Sequence, residues 1–119
     1  MTKPTDAFIR AVTKRFPTKT FRFWREGFIC YADADDLRVT RNTRTPYIPI
    51  WLVLFKDQNG REDGGGTGIR LNDAAQASVG SLGIRAWQLG IPKRRLAFQL
   101  GILPTDPTLN EKPNARRTT

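Results

Sequence analysis

Two hydrophobic periods divide this chain, and they leave little choice of fold class. Between residues 20 and 56 apolar side chains recur at every second position. Phe21 and Phe23 alternate with Arg22 and Trp24 in "TFRFWRE", and Leu37 and Val39 alternate with Arg38 and Thr40 in "LRVTRNTR". A period of two puts neighbouring side chains on opposite faces of an extended strand. From residue 72 the alternation stops, and "LNDAAQASVGSLG" leads into "AWQLGIPKRRLAFQLGI" (86–102), whose spacing is helical. Strands followed by helices predict an α+β fold: an N-terminal helix on a small antiparallel β-sheet, followed by a helical unit.

Residues 4–16 carry the first helix. Thr5 or Thr2 caps it, and Asp6 lies in the first turn, where the helix dipole favours an anion. Phe8, Ala11, Val12 and Phe16 form its apolar stripe, and Pro17 stops it. Glu26-Gly27 marks a turn before the strand "FICYA". Pro46 and Pro49 imply an edge or a bend, and "IWLVLF" (50–55), apolar on both faces, is expected to be the central strand. Asn59-Gly60 is a hairpin signal. "EDGGGTG" (62–68) reads as a linker or wide hairpin loop. Its glycines lack the Gly-Lys-Ser/Thr of a Walker loop and the G-x-G-x-x-G of a dinucleotide site. The expected division is a β-rich part over 1–71, a helical unit over 72–104 opened by Asn72 or Asp73 as cap, and a flexible basic tail over 105–119 in which Arg116 and Arg117 form a weak electrostatic arm.

A chain of 119 residues argues for one compact domain or a small domain with an appendage, and 39% hydrophobic residues suffice for a core. Twenty Lys and Arg against eleven Asp and Glu leave a net charge of +9. Such an excess repels itself and favours a polyanionic partner: nucleic acid, an acidic protein surface or anionic lipid. The chain has no histidine and one cysteine, Cys30, so neither a zinc site built on these ligands nor an internal disulfide is available. Cys30 is expected to be a buried small hydrophobe. With no histidine base and no Ser or Cys in a recognisable nucleophile elbow, no enzyme and no cofactor is expected. Asp33, Asp35 and Asp36 suggest a hard-cation site only weakly, and an acidic surface loop is the expected reading. The longest apolar run, "IPIWLVLF", is too short to span a bilayer, and the N-terminal segment lacks a secretory pattern, so a cytoplasmic location is expected.

The stretch 86–102 has the spacing of two short helices meeting at a glycine corner. Ala86 is the small residue where the second helix crosses, Gly90 supplies the turn, and Ile91 plugs the space beneath it. Pro92 suits the first turn of the new helix, and Leu96 and Leu100 face inward with Leu89. Lys93, Arg94, Arg95 and Gln99 then lie on the opposite side, where Arg or Lys can pair with guanine and Gln with adenine. Arg85, in the first helix, adds a further cation. Trp87 is expected to pack against the β-rich part. This pattern resembles the Fis-type helix-turn-helix, with alanine before a Leu-Gly-Ile turn, a polar cluster and a closing Leu-Gly-Ile. The resemblance covers about residues 79–103 only, and it implies duplex DNA as partner.

The function expected is therefore that of a small basic DNA-binding regulator of transcription, of the kind carried by phages and mobile elements. A homodimer is expected, since one short helix binds weakly alone. One alternative is a phage-type inhibitor that docks on a host protein or nucleoprotein complex. Another is a single-stranded nucleic-acid binder that stacks bases on Trp24 between Arg22 and Arg25. Arg38, Arg41 and Arg44, three apart in a strand, are candidate phosphate contacts that do not share one sheet face.

Overall fold

The computed structural model describes residues 2–44 and 51–105. Its elements are α1 (Asp6–Arg15), β1 (Arg22–Glu26), β2 (Ile29–Asp33), β3 (Leu37–Asn42), β4 (Trp51–Lys56), β5 (Glu62–Gly68), α2 (Leu71–Gly80), α3 (Gly83–Leu89) and α4 (Lys93–Gln99). The five strands make one antiparallel sheet in the order β1-β2-β3-β4-β5. The protein is thus an α+β fold, with an N-terminal helix, an antiparallel sheet and three C-terminal helices. The edge or bend expected at Pro46 and Pro49 and the tail with Arg116 and Arg117 lie outside the described residues.

Register assigns the two faces. Phe23, Ala32, Val39, Val53 and Gly66 align across the sheet, and Leu37 pairs with Phe55 on the same side. This side is the core. Helix α1 presses Phe8, Val12 and Phe16 onto it, with the Phe8 ring stacked on Trp51 at 5.7 Å. Helix α2 adds Leu71, Ala74, Ala75 and Val79, and the later segments add Ala86, Leu96, Ala97, Ile102 and Leu103, all in one cluster. Thr5 caps α1 as expected, its hydroxyl oxygen accepting from the Phe8 N–H at 3.2 Å. Thr2 instead bridges to Arg25 of β1.

The glycine run is not a loop. It is the edge strand β5, and α2 lies directly on it. A Cβ on Gly66 would fall on the Ser78 backbone nitrogen and 2.6 Å from the Ala74 carbonyl oxygen; one on Gly68 would lie 2.6 Å from the Ala74 nitrogen. Glycine is required there so that helix and strand backbones can touch. "IWLVLF" is likewise not central: β4 lies second from the edge and β3 is in the middle. Trp51, Val53 and Phe55 fill the core, while Leu52 and Leu54 are half-buried on the opposite, helix-free face, which is why both faces of the strand are apolar.

Helix α2 starts at Leu71, a core residue, so its cap is Arg70 rather than Asn72 or Asp73, with no side-chain cap bond. Asn72 serves otherwise, its side-chain oxygen accepting from Arg15 Nε at 3.3 Å. Asp33 also departs from the expected surface loop. It closes β2, is 4% exposed, and is held by Lys56, Arg38 and Arg22. Asp36 pairs with Lys19 at 2.6 Å. Among the described residues no cluster of His, Cys, Asp or Glu could hold a metal ion.

Candidate nucleic-acid interface

The corner between α3 and α4 is built by Gly90, whose φ of 72° and ψ of 26° are left-handed. A side chain there would be strained, so glycine stops α3 and turns the chain. The Gly90 N–H donates to the Trp87 carbonyl and the Ile91 N–H to the Ala86 carbonyl, both at 3.1 Å, tying off the end of α3. Ala86 is buried and Ile91 half-buried beneath the turn, as the spacing required. Pro92 is the residue before α4 rather than in its first turn, and its carbonyl accepts the Leu96 N–H at 3.1 Å. Of the two glycines upstream, Gly80 is the last residue of α2 and Gly83 the first of α3.

Helical spacing and burial fix which way α4 faces. Leu96 and Ala97 are buried and Leu100 half-buried, so these three mark its inner side. Arg94, Arg95, Phe98 and Gln99 are exposed and point away from that side. Lys93 stands above Ala97 and is exposed because the helix begins there. Phe98 is the residue sequence reasoning missed. It sits between the arginines and Gln99 on the outer stripe, 37% exposed, where an apolar ring can meet a thymine methyl. Its position four after Arg94 and three after Arg95 was the available signal.

Besides the place of Pro92 and the side on which Lys93 stands, three further expectations for this unit fail. Leu89 does not face inward; it is the last residue of α3, beyond the crossing at Ala86, and is exposed. Trp87 does not pack on the β-rich part but is 80% exposed. Arg85 is not turned to solvent: its Nη2 donates to Asp63 Oδ2 at 2.6 Å, fastening α3 to β5.

The second candidate set does not form one surface. Trp24 stacks on Tyr31 at 5.0 Å with planes 4° apart, on the helix-free face, and Arg38 lies 5.7 and 5.8 Å over the two rings. Arg22 shares that face but is held by Asp33 at 2.8 Å, and Arg38 by the same carboxylate at 3.0 Å. The face is charge-balanced: Arg22, Arg38 and Lys56 stand against Glu26, Asp33 and Glu62. Arg25 and Arg41 lie on the other side, in register with Cys30 between them, and Arg41 covers Trp51 at 5.3 Å. Arg44 lies over Phe28 at 5.0 Å, past the end of β3. Arg38 and Arg41 thus occupy opposite faces, as their odd spacing implied. Among the described residues neither Lys93 nor Arg94 has an acidic partner, and the same holds for Arg10, Lys14 and Arg61, so α4 carries two of several cations able to attract an anion from outside.

Comparison with known protein families, curated proteins and solved structures finds no match to this chain.

Proposed function

We propose that this protein binds duplex DNA through the outer face of α4, as a small sequence-selective regulator of the kind carried by phages and mobile elements. The observation that carries the reading is the Gly90 corner. It turns α4 so that Leu96 and Ala97 bury while Arg94, Arg95, Phe98 and Gln99 face out, clear of the protein's own sheet. An α-helix fits the major groove, and these residue types match its donors, acceptors and methyl groups. Lys93 and the net charge of +9 supply the attraction to phosphate. Arg85, held by Asp63, acts in this reading by fixing the first helix rather than by touching DNA.

Exchanging Lys93→Glu together with Arg94→Glu tests it. Acidic residues in a first turn favour the helix dipole, so the fold should hold and α4 should be no less helical. The expected result is a loss of duplex affinity of at least about 30-fold, two contacts of about 1–3 kcal/mol each. The slope of log affinity against log salt should also fall by about 0.9 for each lost phosphate contact. Circular dichroism controls for folding. A double variant that still shifts duplex DNA like the wild type would remove α4 as the reading helix.

A further inference from the structure

Helix α3 presents a face that none of the described residues covers. Ile84 and Trp87, one turn apart, are 76% and 80% exposed, the highest values among the described large apolar residues. Gly83 and Gln88 share their side and are exposed and uncharged. The one charge of the helix, Arg85, is turned to Asp63 on β5. In a chain of net charge +9 this is a place where two copies can meet without bringing like charges together. Adjoining apolar side chains without charge can serve as a contact surface when a partner is brought to them.

The size of the patch says when the contact forms. A largely exposed tryptophan offers on the order of 200 Å². Ile84 and the small residues beside it bring the total to well under the roughly 800 Å² per partner that a stable complex buries. Two copies should therefore stay apart in free solution and pair only where something else holds them side by side. The α3 face adjoins the reading helix through a single turn at Gly90. It travels with α4 onto the duplex. The helix-free side of the sheet is a broad surface whose charges balance, but pairing through it would leave the two helical layers on opposite outer sides, the wrong arrangement for two helices on one duplex.

We infer that the Ile84–Trp87 face of α3 contacts the same face of a second copy of this chain when two copies occupy neighbouring half-sites on one duplex. This rests on the DNA-binding reading above. The contact is self-complementary, as a two-fold arrangement demands. It makes occupation of the second half-site easier than the first, so binding is cooperative although the free protein is monomeric.

The experiment uses the full chain and a duplex selected by the protein from a random-sequence pool, carrying one site or two sites at centre spacings of about 8–12 base pairs, near one helical turn. The expected result is that the second copy binds at least about tenfold tighter than the first at one spacing. Trp87→Ser should abolish that ratio and leave single-site affinity unchanged. Because Trp87 is exposed, the variant removes nothing from the core. Trp87→Cys should form a disulfide-linked dimer under mild oxidation on the two-site duplex only, Cys30 being buried. Cooperativity that survives Trp87→Ser, or a fall in its single-site affinity, which would put Trp87 on DNA instead, overturns the inference and leaves the reading helix standing. If the wild type binds no duplex at all, the inference and the reading fall together.

Discussion

Gly66→Ala is expected to cost more than about 3 kcal/mol, enough to leave the chain largely unfolded if its stability lies at the low end of the usual 5–15 kcal/mol. The added methyl would occupy the place of the Ser78 backbone nitrogen and crowd the Ala74 carbonyl. Both are main-chain atoms of α2, so no side chain can swing aside. Relief requires lifting the helix off β5, which opens the interface where Ala74, Ala75, Ser78 and Val79 are buried. A Gly→Ala change ordinarily stabilises by up to about 1 kcal/mol, because alanine restricts the unfolded chain. Gly80→Ala provides that baseline: nothing lies within 4 Å of its added Cβ, so stability should rise by up to about 1 kcal/mol. Urea unfolding followed by circular dichroism measures both. A Gly66→Ala protein within 1 kcal/mol of wild type would show that α2 does not lie on the strand as described.

The same glycines explain why β5 was invisible as a strand. A strand is recognised by alternating side chains, and "EDGGGTG" has almost none; its conformation is set by the helix packed on it. The complementary signal was present in Ala74, Ala75, Ala77 and Ser78, small residues that let a helix approach closely, but joining the two requires knowing that they meet. The first three strands were legible because their faces differ in polarity, so register and pattern agree. "IWLVLF" misled because Leu52 and Leu54 sit half-buried on the helix-free face and mimic a fully covered strand. The glycine corner was legible because a left-handed residue leaves a mark in sequence that no tertiary contact is needed to explain. Trp87 was not, because the usual expectation for tryptophan is burial, and this one is exposed. Asp33 hid inside an acidic run, since its partner Lys56 lies 23 residues away.

That carboxylate should carry the second large effect: Asp33→Ala is expected to destabilise the protein by roughly 3–5 kcal/mol near neutral pH, as breaking a buried ion pair does. Its Oδ1 accepts from Lys56 Nζ at 2.8 Å and from Arg38 Nε at 3.0 Å, and its Oδ2 from Arg22 Nη2 at 2.8 Å. Arg22 is largely in solvent and contributes little, but Lys56 is 11% exposed and would be left as a buried charge without a counter-ion. Replacing both members, Asp33→Ala with Lys56→Met, should recover much of the loss, since an apolar pair carries no desolvation penalty. The pH dependence follows from the same contacts. Burial raises the Asp33 pKa, and the bonds to Lys56, Arg38 and Arg22 outweigh it, so the folded value lies below the ordinary 3.8. The unfolded chain therefore takes up the proton first. The stabilisation is complete above about pH 4 and drains away as pH falls through the lowered folded value. The gap between wild type and Asp33→Ala in urea should accordingly be widest at pH 6–7 and shrink toward pH 2–3. A gap that stays constant over that range, or a double variant no more stable than Asp33→Ala alone, would mean that the three cations do not depend on this carboxylate.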